Sequence, residues 1–234
     1  TGHYASIRYD EQLQRNVLCK AKDAQKDQTY FLWRLSNEDI QRTIFPLGEL
    51  TKPEVRQLAD EYNLIVKNKP DSQEICFVPN NDYREFLVKY LHRDLETPGD
   101  FMLRGKIIGK HRGYPFYTVG QRKGLGLSYS EPLYVQSIDP ILNIIHLETI
   151  DNIANTVIYA KDIVLSKYSS LDEAKEFDVK IRYRDPGTPA ICKMIGNTLK
   201  VTLQTPKNSI AIGQSIVIYE GDDVVGGGVI DKVE

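Results

Sequence analysis

The sequence predicts an α/β region followed by a region of short β-strands. Three helix patterns with N-terminal capping residues begin before residue 99. Beyond Pro98-Gly99 the chain changes to short alternating stretches and glycine-rich turns, and from about residue 135 the pattern is almost purely β. Strands this short and closely spaced are typical of a small barrel or sandwich. We therefore divide the chain into an α/β region at 1–80, a small central domain at 81–134 and a C-terminal β-barrel at 135–234.

The α/β region opens with two predicted strands, residues 3–9 and 17–19. Ser36 then begins a helix, because its side chain can cap the first turn and Asp39 occupies the third helical position. A third strand candidate covers residues 64–66.

Two further helices begin at capping boxes. Thr51 and Glu54 have the required spacing, and Asp82 and Glu85 cap the next helix in the same way. After Thr51 the apolar side chains repeat at i, i+3, i+4 and i+7, at Val55, Leu58, Ala59 and Tyr62. We therefore expect one face of this helix to be buried.

The strand predictions in the last hundred residues rest on alternation and on β-branched residues. Gly196-Asn197 is a hairpin turn signal. The predicted strands cover residues 135–138, 144–147, 163–165, 177–184, 191–195, 199–203, 216–219 and 224–233.

Composition indicates a soluble globular protein of the cytoplasm. Hydrophobic residues make up 41% and charged residues 26%, and no apolar run approaches the ~18 residues of a membrane span, so no membrane partner is expected. The three cysteines do not form a disulfide framework, which is typical of a reducing compartment. A net charge of −2 argues mildly against a bulk nucleic-acid binder, although local basic clusters are compatible with it. The four histidines lack the paired spacing of metal ligands.

The glycine-rich loop at 120–126 contains Gln-Arg-Lys and is expected to be exposed. It does not have the strand-to-helix context of a nucleotide-binding loop. A hairpin tip that contacts the RNA backbone and a purely structural turn both remain open.

A set of motifs runs through the whole chain in a fixed order. They are Thr-Gly-His-Tyr at 1–4, Lys-Asp-Gln-x-Tyr-Phe-Leu at 26–32, Phe-Pro-Leu-Gly at 45–48, Asp-Ser-x-x-Ile-Cys-Phe at 71–77, Gly-Gln-Arg-Lys-Gly-Leu-Gly at 120–126, Arg-Tyr-Arg at 182–184, Gly-Gln-Ser at 213–215 and Gly-Gly-Gly-x-Ile at 226–230. With these motifs the chain resembles the tRNA-specific 2-thiouridylase family (MnmA/TrmU).

The resemblance implies a fold and an activity. The α/β region would be the tail of an ATP-pyrophosphatase domain, which is Rossmann-type and adenine nucleotide α hydrolase-like, and the C-terminal β-barrel would bind tRNA. The enzyme would use ATP, with Mg²⁺, to activate the wobble uridine and would transfer persulfide sulfur to its C2. Its partners would be tRNA and a persulfide sulfur donor protein.

The family's Ser-Gly-Gly-x-Asp-Ser pyrophosphate loop and Asp-x-x-Cys motif do not occur in these 234 residues. We therefore expect both motifs to lie upstream. We also expect the 234 residues alone to hold no cofactor and to be inactive in thiolation.

The resemblance makes Cys76 the catalytic residue, as the carrier of the persulfide. The upstream cysteine would release the sulfur and end in a disulfide with Cys76. Taken alone, a cysteine between Ile75 and Phe77 is most often a small buried side chain. Cys19 and Cys192 lie outside the motifs, and we interpret both as structural.

The resemblance also implies binding residues. Gly2 would lie against ATP, and the tRNA contacts would be His3, Lys26, Asp27, Gln28, Arg182, Tyr183 and Gln214. Without the family, Gly2 and His3 are a turn glycine and a surface histidine at a strand end. Residues 26–28 are then a solvated helix start, and Arg182 and Tyr183 are neighbours on a β-strand with opposite orientations.

Two other functions are compatible with the sequence. One is a non-catalytic RNA-binding β-barrel module, which would not need Cys76. The other is an ATP-pyrophosphatase enzyme without sulfur transfer, such as an amidating ligase. The sequence upstream would distinguish all three.

Overall fold

A computed structural model describes residues 1–65, 78, 83–91, 95–149, 154–208 and 210–234. The chain forms two compact units. The first comprises Thr1–Lys67, Asn155–Pro206 and Ile212–Glu234, and the second comprises Asn68–Ala154 with Lys207–Ala211. Within the described residues, no helix is both long and apolar enough to cross a membrane.

The first unit contains the closed β-barrel that the sequence predicts. Its strands run in the order β12–β11–β8–β9–β10–β7, and a further pairing of β12 with β7 closes the ring. The strands are β7 (Ala154–Leu165), β8 (Lys175–Lys180), β9 (Thr188–Ile195), β10 (Thr198–Asn208), β11 (Ser215–Glu220) and β12 (Asp223–Val233). The β9–β10 hairpin turns at Gly196-Asn197 as predicted.

Alternation along the strands explains the interior of the barrel. On β9 and β10, buried and more exposed residues alternate, so that Ala190, Cys192, Leu199, Val201 and Leu203 are almost fully buried. Strand β12 also pairs at Asp223 with a hairpin of β1 (Ser6–Asp10) and β2 (Arg15–Cys19). The predicted first strand, residues 3–9, therefore begins three residues later, at Ser6.

The helices of the first unit begin where the capping signals predict. They are α1 (Thr29–Leu32), α2 (Asn37–Arg42) and α3 (Lys52–Glu61), and the capping boxes at Ser36 and Thr51 are both formed. The prediction that one face of α3 is buried is wrong. None of the residues of α3 is buried, and Tyr62, just beyond its end, is 73% exposed. Apolar spacing predicts the helix, whereas burial depends on the elements that pack against it. In the strand candidate at 64–66, Leu64 and Ile65 are not in a strand.

One apolar core joins the N-terminal helices to the barrel. Tyr30 and Trp33 of the α1 segment and Ile40 of α2 pack with barrel residues that include Val217 and Tyr219. The N-terminal part of the first unit is therefore fixed to the barrel wall by buried aromatic side chains.

A buried ion cluster also links the β1–β2 hairpin to the barrel. Lys167 is 6% exposed and its ammonium binds Glu220 and, at 2.6 Å, Asp223. Asp223 also accepts from Arg8 Nε at 3.0 Å and from Cys19 Sγ at 3.2 Å. Burial opposes the charge of Glu220, but hydrogen bonds from Lys167, and also from Lys175 and Tyr168, outweigh it and lower its pKa to about 2.

Gly227 on β12 provides the space in which Trp33 packs. A Cβ atom at this position would lie 2.6 Å from the carbonyl oxygen of Ile216 and 2.9 Å from Cδ2 of Trp33. We expect Gly227→Ala to displace the indole and to lower the free energy of unfolding by about 1–3 kcal/mol. Trp33 is the only tryptophan of the sequence, so its emission in a urea titration measures both effects. Gly2→Ala is the control, because its Cβ would meet only Leu47 Cδ1 at 4.0 Å; equal midpoints for the two variants would contradict the prediction.

The second unit is built on a four-stranded sheet in the order β4–β3–β6–β5. The strands are β3 (Gly99–Leu103), β4 (Lys106–His111), β5 (Leu133–Asp139) and β6 (Ile144–Thr149), and helix α4 (Tyr83–Leu91) precedes them. Strand β6 pairs with β3 in parallel and with β5 in antiparallel orientation. The sequence-based boundary at 134/135 falls inside β5, and the compact unit continues to Ala154.

The glycine-rich loop at 120–126 is not the tip of a hairpin. It connects a 3₁₀ helix (Tyr114–Phe116) to β5. Gln121 organises it, because its side chain accepts from the backbone N–H of Thr118 at 3.1 Å and donates to the carbonyl of Lys123 at 2.9 Å. The loop therefore has the internal bonds of a structural turn.

Candidate functional site

Helix α1 brings together residues from separate stretches of the predicted site. At its N-terminal side, Gln28 Oε1 accepts from Tyr4 N at 3.0 Å, and Gln28 N donates to Tyr4 O at 2.9 Å. These two bonds hold the segment that contains Gly2 and His3 beside the segment that contains Lys26 and Asp27.

The other predicted residues meet the same helix. The Tyr30 hydroxyl donates to the carbonyl of Ser215 at 2.8 Å, which fixes the strand start that follows Gln214. The ring of Phe31 lies 4.8 Å from the ring of Tyr183, centroid to centroid. Sites from four separate stretches therefore lie around one short helix of the first unit.

Asp27 is largely buried within this arrangement. Its side chain accepts from the backbone N–H of Ala21 at 3.1 Å and from the Thr29 hydroxyl at 2.7 Å, and the residue is 8% exposed. Both carboxylate oxygens thus hold the turn that leads into α1. The predicted tRNA contact of Asp27 stays a prediction, and its observed bonds orient the neighbouring residues.

Gly2 and His3 are in the segment before β1. Because that strand begins at Ser6, they are not at the end of a strand as the sequence interpretation placed them. Gly2 is exposed, and a Cβ atom there would meet only Leu47 Cδ1, at 4.0 Å; His3 is half-buried, with Nδ1 2.8 Å from the Thr1 hydroxyl. Their contacts with ATP and tRNA stay predictions.

Arg182 and Tyr183 lie in a turn, which corrects the predicted strand at 177–184. Strand β8 ends at Lys180, and Asp185 then closes the turn. The Asp185 carboxylate accepts from the backbone N–H groups of Ile181 and Gly187, each at 3.1 Å. Pro186 has no N–H to continue a ladder. Alternation over 177–184 predicted the strand and missed this side-chain turn.

The sequence interpretation did not single out Phe31, which is 58% exposed beside Tyr183. A signal was present in the spacing of the neighbouring aromatic residues. Tyr30 and Trp33 are three apart, share one face and are buried, so Phe31, which follows Tyr30 directly, does not share that face.

Cys76, the predicted catalytic residue, lies outside the described residues, as does the whole motif at 71–77. The other two cysteines are buried. Burial raises the pKa of the Cys192 thiol to about 12, and burial together with the Asp223 carboxylate raises that of Cys19 to about 12. Neither thiol is therefore suited to form a thiolate, in agreement with their structural interpretation. The described part of the chain contains no cluster of three or more His, Cys, Asp or Glu residues that could hold a metal ion.

Comparison with known proteins gives matches along nearly the whole chain. Residues 1–80 match the tRNA methyl transferase HUP domain, 84–148 the tRNA methyl transferase PRC-barrel domain and 155–230 the aminomethyltransferase beta-barrel domain. These matches agree with the predicted fold class of α/β plus β.

Three curated relatives carry the name tRNA-specific 2-thiouridylase MnmA. Those of Carboxydothermus hydrogenoformans and Clostridioides difficile are 42% and 41% identical over 99% of this chain. That of Salinibacter ruber is 45% identical over all of it. The matched part spans 64%, 64% and 62% of the length of these three relatives, respectively.

Proposed function

Because this chain belongs to the tRNA-specific 2-thiouridylase (MnmA/TrmU) family, we propose that it acts in the ATP-dependent 2-thiolation of the wobble uridine of tRNA. The observation that carries the proposal is the meeting of four motif stretches around α1. Residues of 1–4, 26–28, 182–183 and 213–215 are distant in sequence, yet hydrogen bonds and ring contacts join them to that helix.

The proposed chemistry has two stages. The O2 of uracil attacks the α-phosphate of ATP, releases pyrophosphate and becomes part of a good leaving group, AMP. The terminal sulfur of a persulfide on Cys76 then attacks C2, and AMP departs with the former O2. A second cysteine of the family motif attacks Cys76 Sγ, which leaves the sulfur on the uridine and a disulfide between the two cysteines. An external thiol reduces that disulfide before the next cycle.

The ligands of the proposed reaction are divided between named residues. Gly2 would lie against ATP, with Mg²⁺ on its phosphates, and the exposed space at its Cα would allow close approach. The residues that would contact tRNA are His3, Lys26, Asp27, Gln28, Arg182, Tyr183 and Gln214. Asp27 also holds the turn that leads into α1. A persulfide donor protein would supply the sulfur. We place the reaction in the cytoplasm.

The direct test is a thiolation assay with the complete gene product, an unmodified tRNA transcript, ATP and a persulfide donor. Thiolated tRNA is separated on a gel that contains an organomercury group. We expect a retarded band that requires both ATP and the donor. RNA binding without ATP turnover would indicate a binding module, and pyrophosphate release without sulfur transfer would indicate a different ATP-pyrophosphatase; either result would overturn the proposal.

A further inference from the structure

Two exposed aromatic rings lie side by side in the first unit, and we propose that they are a stacking platform for an unpaired nucleobase. The rings belong to Phe31 of α1 and Tyr183 of the turn after β8. The inference rests on the proposed function only in taking RNA as the ligand. It assigns Phe31 as a binding residue and gives the class of group that it binds.

The geometry of the pair suits a base. The two ring centroids are 4.8 Å apart and their planes are inclined by 35°. Phe31 is 58% exposed and Tyr183 is 36% exposed, so the contact between them leaves aromatic surface of both residues open to solvent. Base–aromatic stacking needs an accessible ring of this kind, and every base has a π-face that can use it.

Both halves of the platform are held in place before any ligand binds. On one side, Tyr30 is anchored by its hydrogen bond to the Ser215 carbonyl and contacts Phe31 edge to face at 5.5 Å. On the other side, the Asp185 carboxylate fixes the turn that presents Tyr183. Little conformational entropy would be lost when a base stacks, which favours binding.

The fold itself does not account for the exposure of Phe31. Helix α1 and its C-cap pack against the barrel through Tyr30 and Trp33, which are 6% and 3% exposed. Phe31 is a poorer helix former than many polar residues and leaves most of its ring in water. A polar side chain at this position would serve the helix equally well, so the ring is better explained by a ligand.

The charges of the two stretches that carry the rings favour RNA over an apolar protein surface. Three exposed arginines occur in the two short stretches that contain the rings, namely Arg34, Arg182 and Arg184. The one carboxylate of those stretches, Asp185, is 9% exposed and bonded to the backbone. Sites that hold phosphates and stack bases combine basic and aromatic side chains in this way, whereas the centres of protein interfaces are depleted in charge.

The test compares single variants of the complete gene product. Phe31→Leu keeps an apolar side chain but removes the ring, Phe31→Trp keeps a ring, and Tyr9→Leu removes a ring of similar exposure (51%) on β1. The probes are an unmodified tRNA transcript and a single-stranded oligonucleotide that carries 2-aminopurine, whose fluorescence falls when it stacks. We expect Phe31→Leu to weaken binding of both by about tenfold and to abolish the fluorescence change. Phe31→Trp and Tyr9→Leu should bind like the unaltered protein.

The outcomes separate this inference from the proposed function. If the unaltered protein thiolates tRNA and Phe31→Leu binds both probes equally well, the platform is overturned and the function stands. If the protein does not thiolate tRNA but its RNA binding depends on the ring at 31, the function fails and the platform stands. Absence of RNA binding by the unaltered protein, or loss of a protein partner as the sole effect of Phe31→Leu, would overturn the platform.

Discussion

Replacement of Cys76 by serine in the complete gene product is expected to abolish tRNA thiolation, with a loss of at least about a thousandfold, and to leave tRNA binding unchanged. A serine hydroxyl cannot hold a persulfide, and no step of the proposed reaction bypasses that bond. The affinity should be retained because the predicted tRNA contacts come from other residues. The measurement is the initial rate of thiolated tRNA formation alongside a binding titration.

Cys19 and Cys192 provide the matched control. The thiols of Cys19 and Cys192 are buried and have pKa values raised to about 12. Alkylation of the folded protein near pH 8 should therefore leave these two thiols unlabelled until the protein is unfolded. Cys192→Ala should retain thiolation. Thiolation by Cys76→Ser at the rate of the unaltered protein would contradict the proposal that Cys76 carries the persulfide.

Replacement of Lys167 by methionine is expected to lower the free energy of unfolding by about 3 kcal/mol. The change leaves two carboxylates, Glu220 and Asp223, without the buried ammonium that binds both. This loss of stability is at the low end of the range for breaking a buried ion pair. Asp223 retains its hydrogen bond from Arg8, and Glu220 retains its ion pair with Lys175 at 2.7 Å. A urea titration followed by the emission of Trp33 measures it.

A surface ion pair between β7 and β12 is the control for Lys167. Lys161 binds Asp231 at 2.5 Å, but the two side chains are 57% and 49% exposed. Lys161→Met should therefore leave the urea midpoint almost unchanged, because water screens an exposed ion pair. Equal urea midpoints for Lys167→Met and Lys161→Met would contradict the role of the buried cluster.

The same cluster predicts a dependence of stability on pH. The pKa of Glu220 is lowered from 4.5 to about 2, and that of Asp223 is also held below its usual value, where burial is outweighed by hydrogen bonds from Arg8 and Lys167. Groups with a lowered pKa stabilise the fold above their unfolded value and lose that effect as the pH falls towards the folded value. The unfolding free energy should thus decline between about pH 4.5 and pH 2, less steeply in Lys167→Met.

Local signals predicted the elements of this fold well. The capping boxes at Ser36 and Thr51 gave the starts of two helices, and Gly196-Asn197 gave a hairpin turn. The errors came from tertiary structure. Helix α3 has an apolar repeat without a buried face, and the turn at Arg182 depends on the side chain of Asp185. Neither the covering of a helix nor a side-chain-to-backbone turn can be deduced from periodicity.

The candidate site, too, was predicted only in part from the sequence. Its motif stretches could be named from the sequence, but their meeting around α1 depends on contacts across more than 150 residues, such as Tyr30 with Ser215. Phe31 was missed because an exposed aromatic ring gives no periodic signal of its own. Cys76 was identified through its family motif alone.

Strand β12 is synthesised after every other described strand, and this order has a consequence for the nascent chain. β12 closes the barrel by pairing with β7 and β11, and it also pairs with β2 at Asp223. At Gly227 it packs against the Trp33 side chain. Until these residues emerge from the ribosome, the barrel surface against which α1 packs is incomplete. Emergence of β12 from the ribosome is therefore the step at which the proposed binding surface, encoded near residue 30, can take its final form.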